Sequence, residues 1–238
     1  MKKVLTLFFS LCFIATFAAK PKHQYVKIAT PKGEVIIKLY NETPLHRDNF
    51  LKLAKEGFYN GTLFHRVIKA FMIQGGDPTS KNATPESTLG DGGPEYIVPA
   101  EFRDSLFHKK GVLAAAREGD DINPTKGSSS CQFYIVQGKV WTDSTLNALE
   151  TKRMKFKIPE WQRQVYKTIG GTPHLDRNYT VYGEVVKGLE MIDSIAAEPT
   201  GKGDRPKEDI KMTVTILKKR EAKKLEKELA KNVVKPNA

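Results

Sequence analysis

The chain has 238 residues, 39% of them apolar, and carries 39 Lys and Arg against 27 Asp and Glu, a formal charge of +12. That length supports one good core or at most two small domains. The charge invites a nucleic-acid reading, but much of it sits near the ends, at Lys2 and Lys3 and at Lys218, Lys219, Arg220, Lys223, Lys224, Lys227, Lys231 and Lys235; without interleaved aromatic residues such a run reads as a solvated face or tail, and nucleic acid is not an expected partner.

Residues 1–18 read as an export signal. Met1-Lys2-Lys3 is a basic start, residues 4–19 are almost wholly apolar, and Thr16 and Ala18 are the small pair before a cleavage point after Ala18. The run is short for a membrane span, and an uncleaved anchor is the alternative. A lipid-modified Cys12 is disfavoured by the bulky Leu11 before it. No other segment could span a bilayer, so no membrane span is expected after signal removal. The compartment implied is exported, periplasmic. With the signal gone, Cys131 is the only cysteine and no internal disulfide can form. Cys131 is out of phase with Gln132 and Tyr134, which predicts a small thiol facing the core.

Residues 26–30 and 34–40 read as strands around the turn at Pro31-Lys32-Gly33. Thr43-Pro44 opens a helix with Phe50, Leu51 and Ala54 on one stripe, and Gly57 ends it. The run FHRVIKAFMIQGGD at 64–77 then sets an arginine inside apolar residues. Read as two strands and a bend, it places Arg66 and Ile68 on one face, and Met72 and Gln74 on one face of the second strand. If the strands pair, Gln74 accepts from the guanidinium and Phe71 and Met72 supply an apolar floor. Gly75-Gly76 lets the backbone turn where a side chain would clash. On spacing alone, a surface arginine on a half-buried strand fits as well.

The stretch GDGGP at 90–94 is loop; it lacks the lysine and the strand-to-helix context of a phosphate cradle. Residues 111–116 and 132–136 read as strands, with polar loop at 120–127. Ser128-Ser129-Ser130 lacks a nucleophile elbow and reads as a polar strand entry. Residues 146–157 and 160–168 have helical character, with Pro159 starting the second piece and Leu146, Leu149 and Met154 forming a stripe. A short helix follows at 189–195 and a closing strand at 210–217. Residues 218–231 favour helix but carry only the thin stripe Leu217, Leu225 and Leu229, so a fraying extension is expected. The five histidines show no metal-ligand spacing, and neither metal nor cofactor is expected.

The run at 64–77, followed in order by GVLAAAR at 111–117, SSCQFYIV at 129–136, HLD at 174–176 and VYGEVVKG at 181–188, resembles the cyclophilin-type peptidyl-prolyl cis–trans isomerases. The resemblance runs from about residue 25 to 217 and is broken by an insertion at 139–173. Periodicity alone indicates a mostly β domain with several helices. The resemblance implies a closed eight-stranded antiparallel β-barrel capped by two helices, with the insertion as a helical excursion outside it near the pocket rim. Residues 1–18 are then signal, 19–217 the isomerase domain and 218–238 a basic helical tail. The implied activity is rotation about X–Pro bonds in unfolded or extended chains, assisting folding in an exported compartment.

By resemblance Arg66 is the donor that favours the twisted bond and Gln74 orients it. Phe71, Met72 and Leu175 match the apolar proline pocket. Tyr134 stands where the family usually has phenylalanine, and its extra hydroxyl needs a partner or an opening to water. Ala116 and Arg117 match the edge that holds the substrate backbone, Arg117 in place of a common asparagine. Gln132 lines the site, and Tyr179 is at a rim position that is often histidine. His174 replaces a tryptophan, which implies weak cyclosporin binding more than weak catalysis. A non-catalytic module that only holds proline segments is the competing expectation, and the role of the insertion is open between structural support and partner selection.

Overall fold

A computed structural model describes residues 23–233; the export signal expected at 1–18 lies outside the described residues. Strand β1 (Gln24–Thr30) and strand β2 (Gly33–Leu39) form a hairpin in which Thr30 pairs with Gly33. Val26 and Ile28 on β1, and Val35, Ile37 and Leu39 on β2, are fully buried, the period-two pattern of a sheet with one face on a core. Helix α1 (Pro44–Lys55) starts on proline and buries Phe50, Leu53 and Ala54. Leu53 joins the expected stripe, while Leu51 is half-buried at its margin.

The remaining strands are β3 (Arg66–Ile68), β4 (Met72–Gly75), β5 (Ile97–Val98), β6 (Val112–Ala115), β7 (Ser128–Ser129), β8 (Phe133–Val136), β9 (Val181–Lys187) and β10 (Thr213–Ile216). Eight form one antiparallel sheet in the order β10-β1-β2-β9-β6-β8-β4-β3, and β5 and β7 pair in a separate ribbon. A closed barrel would need a ladder between β3 and β10. What joins those ends is a single bridge, Leu63 with Lys211, where Phe64 N donates to Ile210 O at 3.0 Å and Met212 N donates to Thr62 O at 2.9 Å. Continuing that register would set β3 against Pro206, which has no N–H, and Lys207, whose N–H goes to Pro199 O. The sheet is therefore curled, with a short seam in place of a full eighth ladder.

Strand alternation separates two apolar clusters. Val67, Ile73, Leu113, Phe133 and Ile135 face the main core with Phe50, Tyr59 and Tyr182, while Met72, Ala114, Tyr134, Val136 and Val181 face the opposite side. Helix α1 packs on β9 and β10, and helix α4 (Glu190–Ala196) packs on β2, β3 and β4. Cys131 is 3% exposed in the main cluster, as its phase predicts, and burial pushes its thiol up to about 11.

The insertion expected at 139–173 folds as α2 (Asp143–Lys152) and α3 (Glu160–Thr168). Helix α2 begins and ends earlier than its apolar stripe suggests. At the start, Thr142 accepts from Thr145 N and closes a capping box. At the end, the Glu150 carboxylate draws the chain back, accepting from Ile158 N and from Arg163 Nη1, both at 2.9 Å. Phe107, Leu146, Ile158 and Tyr166 form the small core between insertion and sheet, with Met154 at its edge. Helix α5 (Lys219–Val233) buries Leu225, and Tyr25 donates to Glu226 Oε1 at 3.4 Å. Among the described residues no helix is long and apolar enough to cross a membrane.

Candidate active site

Register builds the site. On neighbouring antiparallel strands, opposite residues share a face. Arg66 of β3 lies opposite Gln74 of β4, Gln74 opposite Tyr134 of β8, and Tyr134 opposite Ala114 of β6. This row runs along the side of the sheet away from the main core, where Met72 adds an apolar surface. The floor turns up at its margin through the turn at Pro173–Leu175, which delivers Leu175.

The result is a cavity of about 150 Å³ lined by Arg66, Phe71, Met72, Gln74, Ala116, Arg117, Tyr134, Leu175 and Tyr179. Arg66 Nη1 donates to Gln74 Oε1 at 3.5 Å and Nε donates to Asp204 Oδ2 at 3.3 Å. The guanidinium is less enclosed than an arginine in a water-poor pocket: its side chain is 43% exposed. The cause is topological, since β3 is an end strand of the sheet and has a neighbour on one flank only. Asp204 has no signal in the sequence. It lies 138 residues away, in a turn where φ is +59°, a conformation that Asp tolerates better than most residues.

Gln132 and His174 do not line the cavity. Gln132 sits behind Gln74, accepting from Gln74 Nε2 at 3.2 Å and donating to Gly90 O at 2.7 Å. It fixes the amide that meets Arg66. His174 stacks on Phe71, with ring centroids 5.5 Å apart and 23° between planes, because the turn that aims Leu175 inward points its neighbour elsewhere. Burial, reinforced by the charge of Arg153, lowers its pKa from 6.5 to about 4. The unfolded chain therefore takes up this proton first as pH falls. Stability contributed by neutral His174 is complete above about 6.5, is lost as pH drops towards 4, and falls no further below that. Thermal unfolding of His174→Gln against wild type checks this: the variant should lose less stability across that window, and equal slopes would refute it.

Arg117 is tied down rather than extended. Nε donates to Asn178 O at 2.8 Å, Nη2 pairs with Asp120 at 2.7 Å, and the guanidinium lies 4.5 Å from the Tyr179 ring centre. Ala116 N donates to Gln132 O, and Ala116 O accepts from Ser129 N. The Tyr134 hydroxyl has the partner its chemistry requires, His108 Nε2 at 2.9 Å. Sequence reasoning missed His108; its only signal was the need for some partner for that hydroxyl.

One other constellation looks reactive. Glu101 Oε2 is 2.8 Å from His46 Nδ1, and His46 Nε2 is 2.9 Å from Ser128 Oγ. Ser128 is 1% exposed, which leaves a substrate no approach. Glu101 also accepts from Leu45 N and His46 N at the start of α1, so the group works as a helix cap and strand entry.

The family model described as cyclophilin type peptidyl-prolyl cis-trans isomerase/CLD matches residues 25–216. A relative from Streptococcus pyogenes serotype M6, named as a bifunctional phosphatase/peptidyl-prolyl cis-trans isomerase, is 38% identical over 188 residues, covering 78% of this chain and 37% of its own. The chain thus spans little more than a third of that relative. A relative from Staphylococcus saprophyticus, named as a peptidyl-prolyl cis-trans isomerase, is 37% identical over 182 residues, 76% of this chain and 85% of its own. Among solved structures, a cyclophilin type peptidyl-prolyl cis-trans isomerase from Cryptosporidium parvum aligns with TM-score 0.59 at 24% identity, over 83% of this chain and 99% of that one. The same protein determined in the presence of the dipeptide Ala-Pro gives TM-score 0.57; at such identity both speak for the fold alone. With most of its length matched, the chain belongs to the cyclophilin-type peptidyl-prolyl cis–trans isomerases.

Proposed function

We propose that the chain accelerates rotation about X–Pro bonds in unfolded or extended polypeptides, with Arg66 as the donor that favours the twisted state. The observation that carries this is a guanidinium aimed by Gln74 and Asp204 at the mouth of an apolar-floored hollow. Peptide rotation faces a barrier of roughly 18–20 kcal/mol and takes tens to hundreds of seconds at an X–Pro bond. Lowering that barrier needs no nucleophile, proton transfer, metal or cofactor. As the bond twists, resonance is lost and the proline nitrogen regains its lone pair. A donor that binds this state better than either planar one lowers the barrier.

Phe71, Met72, Leu175 and Tyr134 hold the proline ring. Gln74, backed by Gln132, sets the direction of Arg66. With the Arg117 side chain already engaged, the substrate backbone meets its main chain beside Ala116, and Tyr179 forms the rim. His174, stacked on Phe71, supports weak cyclosporin binding. The export signal expected at 1–18 supports a periplasmic site of action on chains still folding, with 19–217 as the isomerase domain and 218–238 as a tail. Exchange NMR on a proline peptide tests the reading. Broadening between the cis and trans signals on adding the protein is the expected result; binding without broadening would make the chain a holding module.

A further inference from the structure

We infer that Tyr166, a residue of the insertion, is a positioning residue for the proline pocket, acting through a buried line of hydrogen bonds from Tyr166 to Asp176 to His108 to Tyr134. This rests on the proposed role of the cavity as the seat of the proline ring. The Tyr166 hydroxyl donates to Asp176 Oδ2 at 2.6 Å. Asp176 Oδ1 accepts from His108 N at 2.8 Å and lies 2.9 Å from His108 Nδ1. His108 Nε2 is 2.9 Å from the Tyr134 hydroxyl, and Tyr134 lines the cavity. All four residues are at most 5% exposed.

The chemistry of these groups gives the line one sense. A carboxylate only accepts, so Nδ1 carries the proton that faces Asp176. A neutral imidazole then offers Nε2 as an acceptor, and Tyr134 donates to it. Were the ring charged, the hydroxyl would rotate and accept instead, so the line holds in either state. Charge-assisted bonds in a dry interior are strong and directional. They hold the His108 ring, which lies nearly parallel to Tyr134, with 13° between planes and centroids 6.1 Å apart. Tyr134 in turn meets Tyr179 edge-on, at 5.9 Å and 81°. One end of the line therefore sets two walls of the cavity.

The other end is built to stay put. Arg163 of α3 bonds Glu150, Asp143 and Asn147 of α2, each at 2.9 Å. Tyr166 packs edge-on against Phe107, the residue before His108, at 5.4 Å. Trp141 N donates to Tyr166 O at 3.1 Å. A rigid two-helix brace that ends in one buried hydroxyl on the pocket's support is what a positioning element requires.

The test reads proline-peptide affinity by NMR titration. Tyr166→Phe keeps the ring against Phe107 and removes only the hydroxyl. It should weaken binding by about three- to tenfold, the scale of one hydrogen bond, and raise KM with kcat unchanged. In a Tyr134→Phe background, where the line no longer reaches the pocket, the same change should alter affinity by less than about twofold. Wild-type affinity in Tyr166→Phe, or equal losses in both backgrounds, would overturn the positioning role. A second measurement needs no variant: saturating the wild type with peptide should shift the His108 ring-nitrogen signals, and unmoved signals also overturn it. A wild type that binds without catalysing sinks the proposed activity, while its affinities still decide this inference. A wild type that turns over normally beside an unchanged Tyr166→Phe sinks the inference alone.

Discussion

Arg66→Ala should lower kcat/KM for a proline peptide by about two to three powers of ten, the usual scale for removing one transition-state donor. The same change should scarcely affect the fold. Arg66 is 43% exposed, and its bonds to Asp204 and Gln74 are long, at 3.3 and 3.5 Å. Half-exposed pairs of this kind contribute about 0–1 kcal/mol. A large loss of activity with an unchanged melting temperature would therefore separate the chemical role of Arg66 from a structural one. Arg66→Lys sharpens the point: it keeps a positive charge but loses the rigid fork of donors. If charge alone sufficed, the lysine variant would keep most of the activity; directional donation predicts that it falls close to alanine. The assay follows the cis fraction of a chromogenic proline peptide. Near-normal turnover in Arg66→Ala would remove Arg66 from the mechanism.

What the sequence made legible here has a physical pattern. Arg66 and Gln74 are eight residues apart on adjacent strands, so period-two alternation and a short bend bring them together without any long-range knowledge. Tyr134 was placed by the family resemblance alone, because β8 is buried on both faces and its apolar residues set no phase. Asp204, His108 and Tyr166 were out of reach. Each meets the site through contacts between distant segments, and a lone Asp, His or Tyr in a loop or helix has no periodicity to reveal its direction. The depth of Arg66 was also hidden, because it follows from strand order and not from residue type. His174 and Leu175 illustrate the same limit at close range: a one-residue step in a tight turn decides which side chain faces the cavity. The insertion's apolar stripe located its small core, but its boundaries were set by polar groups, Thr142 at one end and Glu150 at the other.

Gly76→Ala should be among the most damaging single changes to the fold. Gly76 has φ of +97°, a conformation that L side chains adopt at a cost of about 1–2 kcal/mol. Its Cβ would also lie within 2.4 Å of Cys131 O and 3.2 Å of Gln132 Cα. Neither neighbour is free to yield. They are backbone atoms, and the chain after them is locked by the pairs Gly75–Phe133 and Gln74–Tyr134. Strain and displacement together should cost about 3 kcal/mol, or roughly 6–12 °C in melting temperature for a domain of this size. Two other glycines resolve the contributions. Gly61 has φ of +84° with nothing within 4 Å of an added Cβ, so Gly61→Ala should report backbone strain alone, about 1 kcal/mol. Gly119 has open space around an added Cβ and a φ outside the left-handed region, so Gly119→Ala should be near neutral. Calorimetry on the three variants should give the order Gly119, Gly61, Gly76 in increasing damage; Gly76→Ala melting with Gly61→Ala would refute the clash. The folded fraction of Gly76→Ala should also turn over more slowly, because moving Gln132 shifts the acceptor that holds Gln74 and, through it, the direction of Arg66.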